Sequence, residues 1–403
     1  MKVCVFSGSR SEYGLLKNLL RIFNKDKFFK TDFIVSGSHL SKKHGLSVRE
    51  IINDKIKIKK KFFLNLKSST PWDICHNFSN INSKINNFFK DHHYDVLILL
   101  GDRYESLAVA IAAYINRVPI AHIHGGEKTN DSLDDNYRHA ISKFSNYHFV
   151  SHGINKKRLI QLGEEPKTIK IVGGLGANII SKIKLINKKN LETKLGTKFK
   201  YKIIIVNFYP EVSSIKKSIN TLKNIFSVLS DIEKIHCIFT LPSHDIGNNK
   251  FENLIKSFIK SNKDYFFYKN LGQTKFLSLL KISTILIGNS SSGVLEMPSF
   301  GKYSINIGDR QKGRIFSKTV IQCSSNKNEI KKKIKKYLKK KITTGKNENI
   351  YYKKNSYENI IKALKKKNIF KINEIKKFRD IELWFGKKDY YTEKAQSMMQ
   401  LKI

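Results

Sequence analysis

Gly288-Asn-Ser-Ser-Ser-Gly293 follows the apolar run 282–287, and Glu296 and the segment Asn306-Ile-Gly-Asp-Arg-Gln-Lys-Gly-Arg314 come soon after it. The apolar run reads as a buried strand. Small residues at the carboxyl end of such a strand leave backbone N–H groups free where a helix begins, and these attract phosphate. Ser290 and Ser291 lie in that turn. Glu296, a turn or two into the helix, is placed to accept hydrogen bonds from ribose hydroxyls. Arg310 and Arg314 offer fixed forks for a diphosphate. Together these residues describe a nucleoside diphosphate that carries something else.

A second set is rich in acids. Ser7-Gly-Ser-Arg10-Ser-Glu-Tyr13, Gly101-Asp-Arg-Tyr-Glu105 and His122-Ile-His124-Gly-Gly-Glu127 each follow an apolar run, and Asp134-Asp135 and Arg138-His139 then open a helix. One acid at a strand end is most often a helix cap, and Asp134 and Asp135 have that alternative reading too. Several such ends in one sheet, with Gly, Arg or His alongside, favour chemistry. Closely spaced carboxylates raise one another's pKa, so one holds a proton while another stays ionised. That is the requirement for moving protons on and off a sugar. His122 and His139 read as structural histidines, whereas His124 sits nearer the glycines and the cleft. A metal held by His122 and His124 is conceivable, but HxH alone is a weak signal. Gly173-Gly-Leu-Gly176 lacks the GxGxxG spacing and the later acid of a dinucleotide loop, which disfavours NAD.

The elements that must hold these residues alternate short apolar runs with amphipathic stretches, the pattern of parallel α/β folding. Strands are expected at 2–7, 32–36, 95–100, 119–124, 147–151 and 168–172, and again at 203–206, 237–241, 265–268, 284–287, 304–307 and 319–322. Helices are expected at 13–23, 78–90, 105–116 and 135–144 in the first series, and at 215–229, 249–260, 274–281, 293–300 and 357–364 in the second. The expected organisation is a Rossmann-like domain over 1–175, a polar, lysine-rich hinge over 176–200, a second Rossmann-like domain over 201–368 and an extension over 369–403. Two doubly wound sheets would face a shared central cleft with their strand ends. The extension, which holds Trp384 and Tyr390-Tyr391, reads as a packed tail.

With 403 residues and 40% hydrophobic content, the chain has enough to build two cores. Its net charge of +43 invites a nucleic-acid reading. However, lysine is spread along the chain with isoleucine and asparagine, the trio that A/T-rich codons produce, and no basic face interleaved with aromatics stands out. The lysines of 331–341 form the solvated side of an amphipathic helix whose apolar side is Ile330, Ile334, Tyr337 or Leu338, and Ile342. The four cysteines lie far apart with no CxxC pair. No signal peptide and no 18-residue apolar stretch are found, so neither nucleic acid nor a membrane is expected as a partner and the cytoplasm is the simplest compartment.

Taken in order, Ser7–Gly14, Gly37-Ser-His39-Leu40, Leu100–Glu105, His122–Glu127, Arg138–Lys143, Gln161–Glu164, Gly272-Gln273 and the 288–314 blocks resemble the hydrolysing UDP-N-acetylglucosamine 2-epimerases, especially the bacterial sialic-acid and legionaminic-acid type. The resemblance runs from about residue 2 to 325. It implies the two-Rossmann, glycosyltransferase-B-like arrangement, with UDP held by Arg10, His39, Arg103, Tyr209, Ser290, Ser291, Glu296, Arg310 and Arg314. Catalysis would fall to Asp102, His124, Glu127, Asp134 and Asp135. The implied reaction is an anti elimination of UDP to a glycal, followed by hydration that releases N-acetylmannosamine, with neither NAD nor metal. A homodimer or homotetramer is expected. This chain departs from the family at His124, where some relatives have Glu, at Tyr209, where histidine is usual, and at Ser243, where asparagine is commoner. The alternative sugar is a 2,4-diacetamido-trideoxy relative. A transferase on the same fold and a non-catalytic nucleotide-sugar binder remain the alternatives.

Overall fold

The computed structural model describes residues 1–66, 70–129, 133–211, 214–240, 248–269, 271–340, 348–366, 376 and 379. Ser243, Ile342 and nearly all of the expected tail, including Trp384 and Tyr390-Tyr391, lie outside the described residues.

The apolar runs form thirteen strands among the described residues. In the first half they are β1 (Lys2–Ser7), β2 (Lys30–Ser36), β3 (Lys60–Phe62), β4 (Val96–Leu100), β5 (Ile120–Ile123), β6 (Tyr147–Val150) and β7 (Ile169–Ile171). In the second half they are β8 (Lys202–Asn207), β9 (Ile235–Thr240), β10 (Tyr265–Tyr268), β11 (Ile285–Gly288), β12 (Ser304–Ile307) and β13 (Val320–Cys323). All pairings are parallel, in the orders β3-β2-β1-β4-β5-β6-β7 and β10-β9-β8-β11-β12-β13. Val-Leu-Ile-Leu-Leu of β4 is buried throughout, as a parallel strand covered on both faces must be. The expected two-sheet α/β architecture is therefore present.

Both sheets reverse their winding once, between β1 and β4 in the first and between β8 and β11 in the second. Open α/β sheets bind ligands at such switch points, beyond the carboxyl ends of the strands. Those ends carry Gly8 to Arg10 and Gly101 to Arg103 in one sheet, and Phe208-Tyr209 and Gly288 to Ser291 in the other.

Several helices are amphipathic and capped by side chains. Arg10–Lys25 starts on a capping box in which Ser9 and Glu12 satisfy each other's backbone N–H. Lys327–Lys339 buries Ile330, Ile334 and Leu338 and leaves its lysines to water, as the spacing predicts. Between β7 and β8 run two helices, Leu175–Lys182 and Lys188–Leu195. They are packed: one apolar cluster extends from Val5 and Leu16 through Leu175, Ile179 and Leu191 to Leu279 and Leu286. Among the described residues, no helix is long and apolar enough to cross a membrane.

One expected element differs. The helix foreseen at 293–300 is a single turn, Ser291–Leu295, followed by a 3-10 turn, Met297–Phe300. Pro298 has no N–H to continue the α-helical ladder, which accounts for the break.

Candidate active site

On the first sheet, the side chain that organises the acids is Arg138, in the second turn of the helix Leu133–Phe144. It is buried, and its Nη1 donates to Glu127 O and to Asp135 Oδ1, both at 2.8 Å. Its Nη2 pairs with the Asp102 carboxylate and reaches Thr129 Oγ1 at 3.4 Å. One guanidinium thus joins the loop after β4, the loop after β5 and the helix that follows. Asp102 remains partly open to the cleft, with its side chain 30% exposed.

Glu127 is buried beneath this arginine. Its Oε1 accepts from Ser151 Oγ at 2.8 Å and lies 3.7 Å from His124 Nδ1, and its Oε2 lies 3.5 Å from Arg314 Nη2 of the opposite sheet. Burial pushes the Glu127 carboxyl up, but His124, Arg314, Arg138 and Ser151 more than reverse this and hold it below the usual carboxylate range. Burial pushes His124 down, against the pull of Glu127. The Leu175 N–H donates to His124 Nε2 at 3.3 Å, which leaves the proton of a neutral ring on Nδ1, facing Glu127.

Asp134 behaves differently from its neighbour. Desolvation by the cleft wall and then the charge of Asp102 push it up to about 6, against Arg103 and Arg138. Its side chain reaches solvent, so the wall around it, rather than burial of the carboxylate itself, supplies the desolvation. Burial also pushes Asp135 up, but His139, the Thr129 N–H and Arg138 outweigh it and hold Asp135 low. The environments of these acids are therefore pushed apart, the arrangement that lets one carry a proton beside ionised partners.

Below the β1/β4 switch, Arg103 forks onto the buried Glu105 with two bonds of 3.0 Å. Glu12 Oε2 accepts from the N–H groups of Gly8 and Ser9 at 2.6 and 2.9 Å, and burial pushes this carboxyl up to about 7. His39 is buried under the floor, 2.9 Å from both Ser7 Oγ and Ser47 Oγ, and burial pushes it down to about 4. Arg10 sits at the edge, its Nε donating to Glu50 Oε2 at 2.9 Å, with its Nη2 close against Gly272 of the second half. His122 is structural, as its strand position suggests. Its Nε2 is 2.7 Å from Gly101 O and its Nδ1 2.9 Å from Ser142 Oγ, and burial pushes it down to about 3.

The second sheet presents a different surface. Gly288 has φ +136, and a Cβ there would lie 2.0 Å from Asn207 O, so only glycine lets the ends of β8 and β11 meet so closely. Asn289 then bridges to Tyr209, accepting from its N–H at 2.7 Å and donating to its carbonyl at 2.9 Å. The Tyr209 ring lies under Arg310, 5.3 Å from the guanidinium carbon, a cation–π contact. Arg310 Nη1 and Gln311 Nε2 both donate to Asn289 O, at 3.2 and 2.9 Å. Ser290 caps the short helix, its Oγ accepting from Ser292 N at 3.2 Å, and Ser291 begins it. One turn of helix carries little dipole, so the arginines, more than the helix end, make this wall attractive to a diphosphate.

Several polar atoms here are buried with no hydrogen-bond partner: Arg314 Nε and Nη1, Glu296 Oε2 and Gln311 Oε1. Burial pushes the Glu296 carboxyl up, with the Ser292 hydroxyl opposing. Buried donors and acceptors without partners are rare in folded proteins and call for a ligand or ordered water. Their chemistry, guanidinium donors for a diphosphate and a carboxylate for a ribose diol, fits such a ligand.

The sequence-named residues thus fall into two facing walls: Asp102, His124, Glu127, Asp134, Asp135 and Arg103 on one, and Tyr209, Ser290, Ser291, Glu296, Arg310 and Arg314 on the other. His39 and Arg10 lie below and beside them. Arg138, read from sequence as part of a helix start and of a block shared with the family, proves central. The signal was there in Asp135 and Arg138, three apart on one helical face.

Comparison with known proteins identifies the family and the fold. The UDP-N-acetylglucosamine 2-epimerase family matches residues 21–365. The chain is 37% identical, over 81% of its length and 85% of the relative's, to the GDP/UDP-N,N'-diacetylbacillosamine 2-epimerase (hydrolyzing) of Campylobacter jejuni. It is 35% identical, over 94% of its length and 97% of the relative's, to polysialic acid biosynthesis protein P7 of Escherichia coli. Its fold is similar, with a TM-score of 0.79 at 18% identity, to the crystal structure of the Neisseria meningitidis UDP-GlcNAc 2-epimerase bound to UDP-GlcNAc, covering 90% of this chain and 99% of that one. The chain, with its two parallel sheets and facing polar walls, belongs to the UDP-N-acetylglucosamine 2-epimerase family.

Proposed function

We propose that this protein is a hydrolysing nucleotide-sugar 2-epimerase that releases UDP and the 2-epimer of a 2-acetamido sugar. The observation that carries the reading is the meeting of the two walls, where Arg314, with two unpartnered donors, stands 3.5 Å from Glu127. N-acetylglucosamine is the first sugar, which gives N-acetylmannosamine for sialic-acid-type synthesis. A 2,4-diacetamido-trideoxy sugar is the second, favoured by the 37% identical relative named for diacetylbacillosamine.

The C2–H of such a sugar is not next to a carbonyl, so departure of UDP must help its proton leave. In our reading Asp102, paired with Arg138, takes the C2 proton. The C–H electron pair becomes the C1–C2 double bond, and the C1–O bond breaks with its pair going to UDP. Arg310 and Arg314 stabilise the charge that develops on the diphosphate, and Glu296 holds the ribose. The C1–C2 π pair then takes a proton from Asp134 on the other face of C2, which inverts that centre, while water adds at C1 and gives its spare proton back to Asp134. Two carboxylates with opposed protonation are needed because removal and return occur on different faces. Glu127 and His124 fix the loop between them. Domains over 1–175 and 201–368 joined through 176–200, assembly as a homodimer or homotetramer, and a cytoplasmic location belong to the same reading.

The test is UDP release from UDP-N-acetylglucosamine and from its 4-acetamido-6-deoxy relative, with no metal or NAD added. Release of UDP with the 2-epimer supports the proposal and names the sugar. Binding without release from either favours a binder, and release that needs an acceptor favours a transferase.

A further inference from the structure

Arg158 belongs to neither wall, and nothing in its sequence context singles it out. It lies in the short helix Gly153–Gln161, which follows β6. Its Nη2 donates to Gly313 O at 2.7 Å, a contact with the loop after β12 of the other sheet. Its Nη1 is directed at Gly126 O, 3.4 Å away, and at Asn155 Oδ1, 3.5 Å away. Gly126 lies flat on the same helix: its φ is +72, and a Cβ there would meet Asn155 O at 2.4 Å.

The residues on both sides of Arg314 are pinned. Arg158 holds the carbonyl of Gly313. Tyr351 Oη donates to Ile315 O at 2.9 Å and accepts from Ile315 N at 3.1 Å. The Lys128 side chain packs against Gly313 as well. Arg314 therefore projects from a loop whose position is referred to the acid wall. We propose that Arg158 is a positioning residue of the reaction, tying the Gly126 loop to the Gly313 loop so that Arg314 is set beside Glu127; this rests on the epimerase reading above. A planar guanidinium can serve two carbonyls at fixed angles, whereas a lysine ammonium presents no such fork.

The full-length chain is compared with Arg158→Met, Arg158→Lys, Arg314→Met and the Arg158→Met/Arg314→Met double variant, reading kcat, KM and melting temperature. Small misplacement of a charge-stabilising group is costly, so Arg158→Met should lower kcat by about tenfold or more. Arg158→Lys should recover part of the loss. In the Arg314→Met background the same change should cost less than about twofold, because its effect passes through Arg314. Wild-type kcat in Arg158→Met, or an undiminished loss in the double variant, overturns the proposal. Should the wild-type protein turn over neither sugar nucleotide, the reaction reading falls and amide exchange decides the clasp by itself. Faster exchange across 308–315 in Arg158→Met keeps it, and unchanged exchange removes it.

Discussion

On the acid wall almost every charged group is already answered by the protein. Arg138 is shared among Asp102, Asp135 and the Glu127 carbonyl, and Arg103 is forked onto Glu105. On the arginine wall, Arg314 keeps two buried donors without partners, and Glu296 and Gln311 each keep an acceptor. In the proposed reaction the contrast follows from what each wall does. Groups that move protons need fixed positions and pKa values before substrate arrives, so the chain itself supplies their partners. Groups that bind need their hydrogen-bonding capacity kept for the ligand, at the cost of burying it unmet. Glu127 and Arg314 sit where the two kinds of surface touch.

Substitutions on the two walls should therefore differ in whether UDP affinity is lost along with turnover. The largest effect is expected for Asp102→Asn, which should lower kcat by roughly a thousandfold or more while UDP affinity, measured by calorimetry, stays within about twofold. A fully active variant would remove Asp102 from the mechanism. Asp134→Asn should cost about a hundredfold in kcat and change the pH profile as well. Asp134 is pushed up to about 6, so it carries its proton below that pH and loses it above. Its proton is the one delivered, so kcat should fall as pH rises past about 6, and the residual activity of Asp134→Asn should lack that limb. Persistence of the limb would assign it to another group. Arg314→Met should lower kcat too, since this guanidinium stabilises the leaving diphosphate, but unlike the acid-wall variants it should also weaken UDP by roughly ten- to a hundredfold, the worth of a pair of charge-assisted bonds. Unchanged UDP affinity would break the division between the walls.

Much of this could be read before the fold was seen. Runs such as Val96 to Leu100 and Ile285 to Gly288 are apolar throughout because their strands are covered on both faces, and that pattern survives in the bare sequence. The edge strand β3, Lys-Lys-Phe, did not announce itself, since only Phe62 of its three residues is buried. The segment after β7 looked like a hinge from its polarity, yet Leu175, Ile179 and Leu191 were enough to pack its helices. Among site residues, the acids and arginines at strand ends were legible because strand ends face the cleft. The tying roles of Arg138 and Arg158 were not. Each arginine lies within a helix, and its role comes from a neighbour distant in sequence: Asp102 for one, Gly313 for the other.

The central claim is that the acid wall exchanges a proton at C2 while the arginine wall releases UDP. Running the reaction in heavy water and examining the released sugar by NMR and mass spectrometry tests it most directly. The account predicts one solvent deuterium at C2 of the 2-epimer, with UDP released in equal amount. Release of UDP with the original hydrogen still at C2 would contradict it.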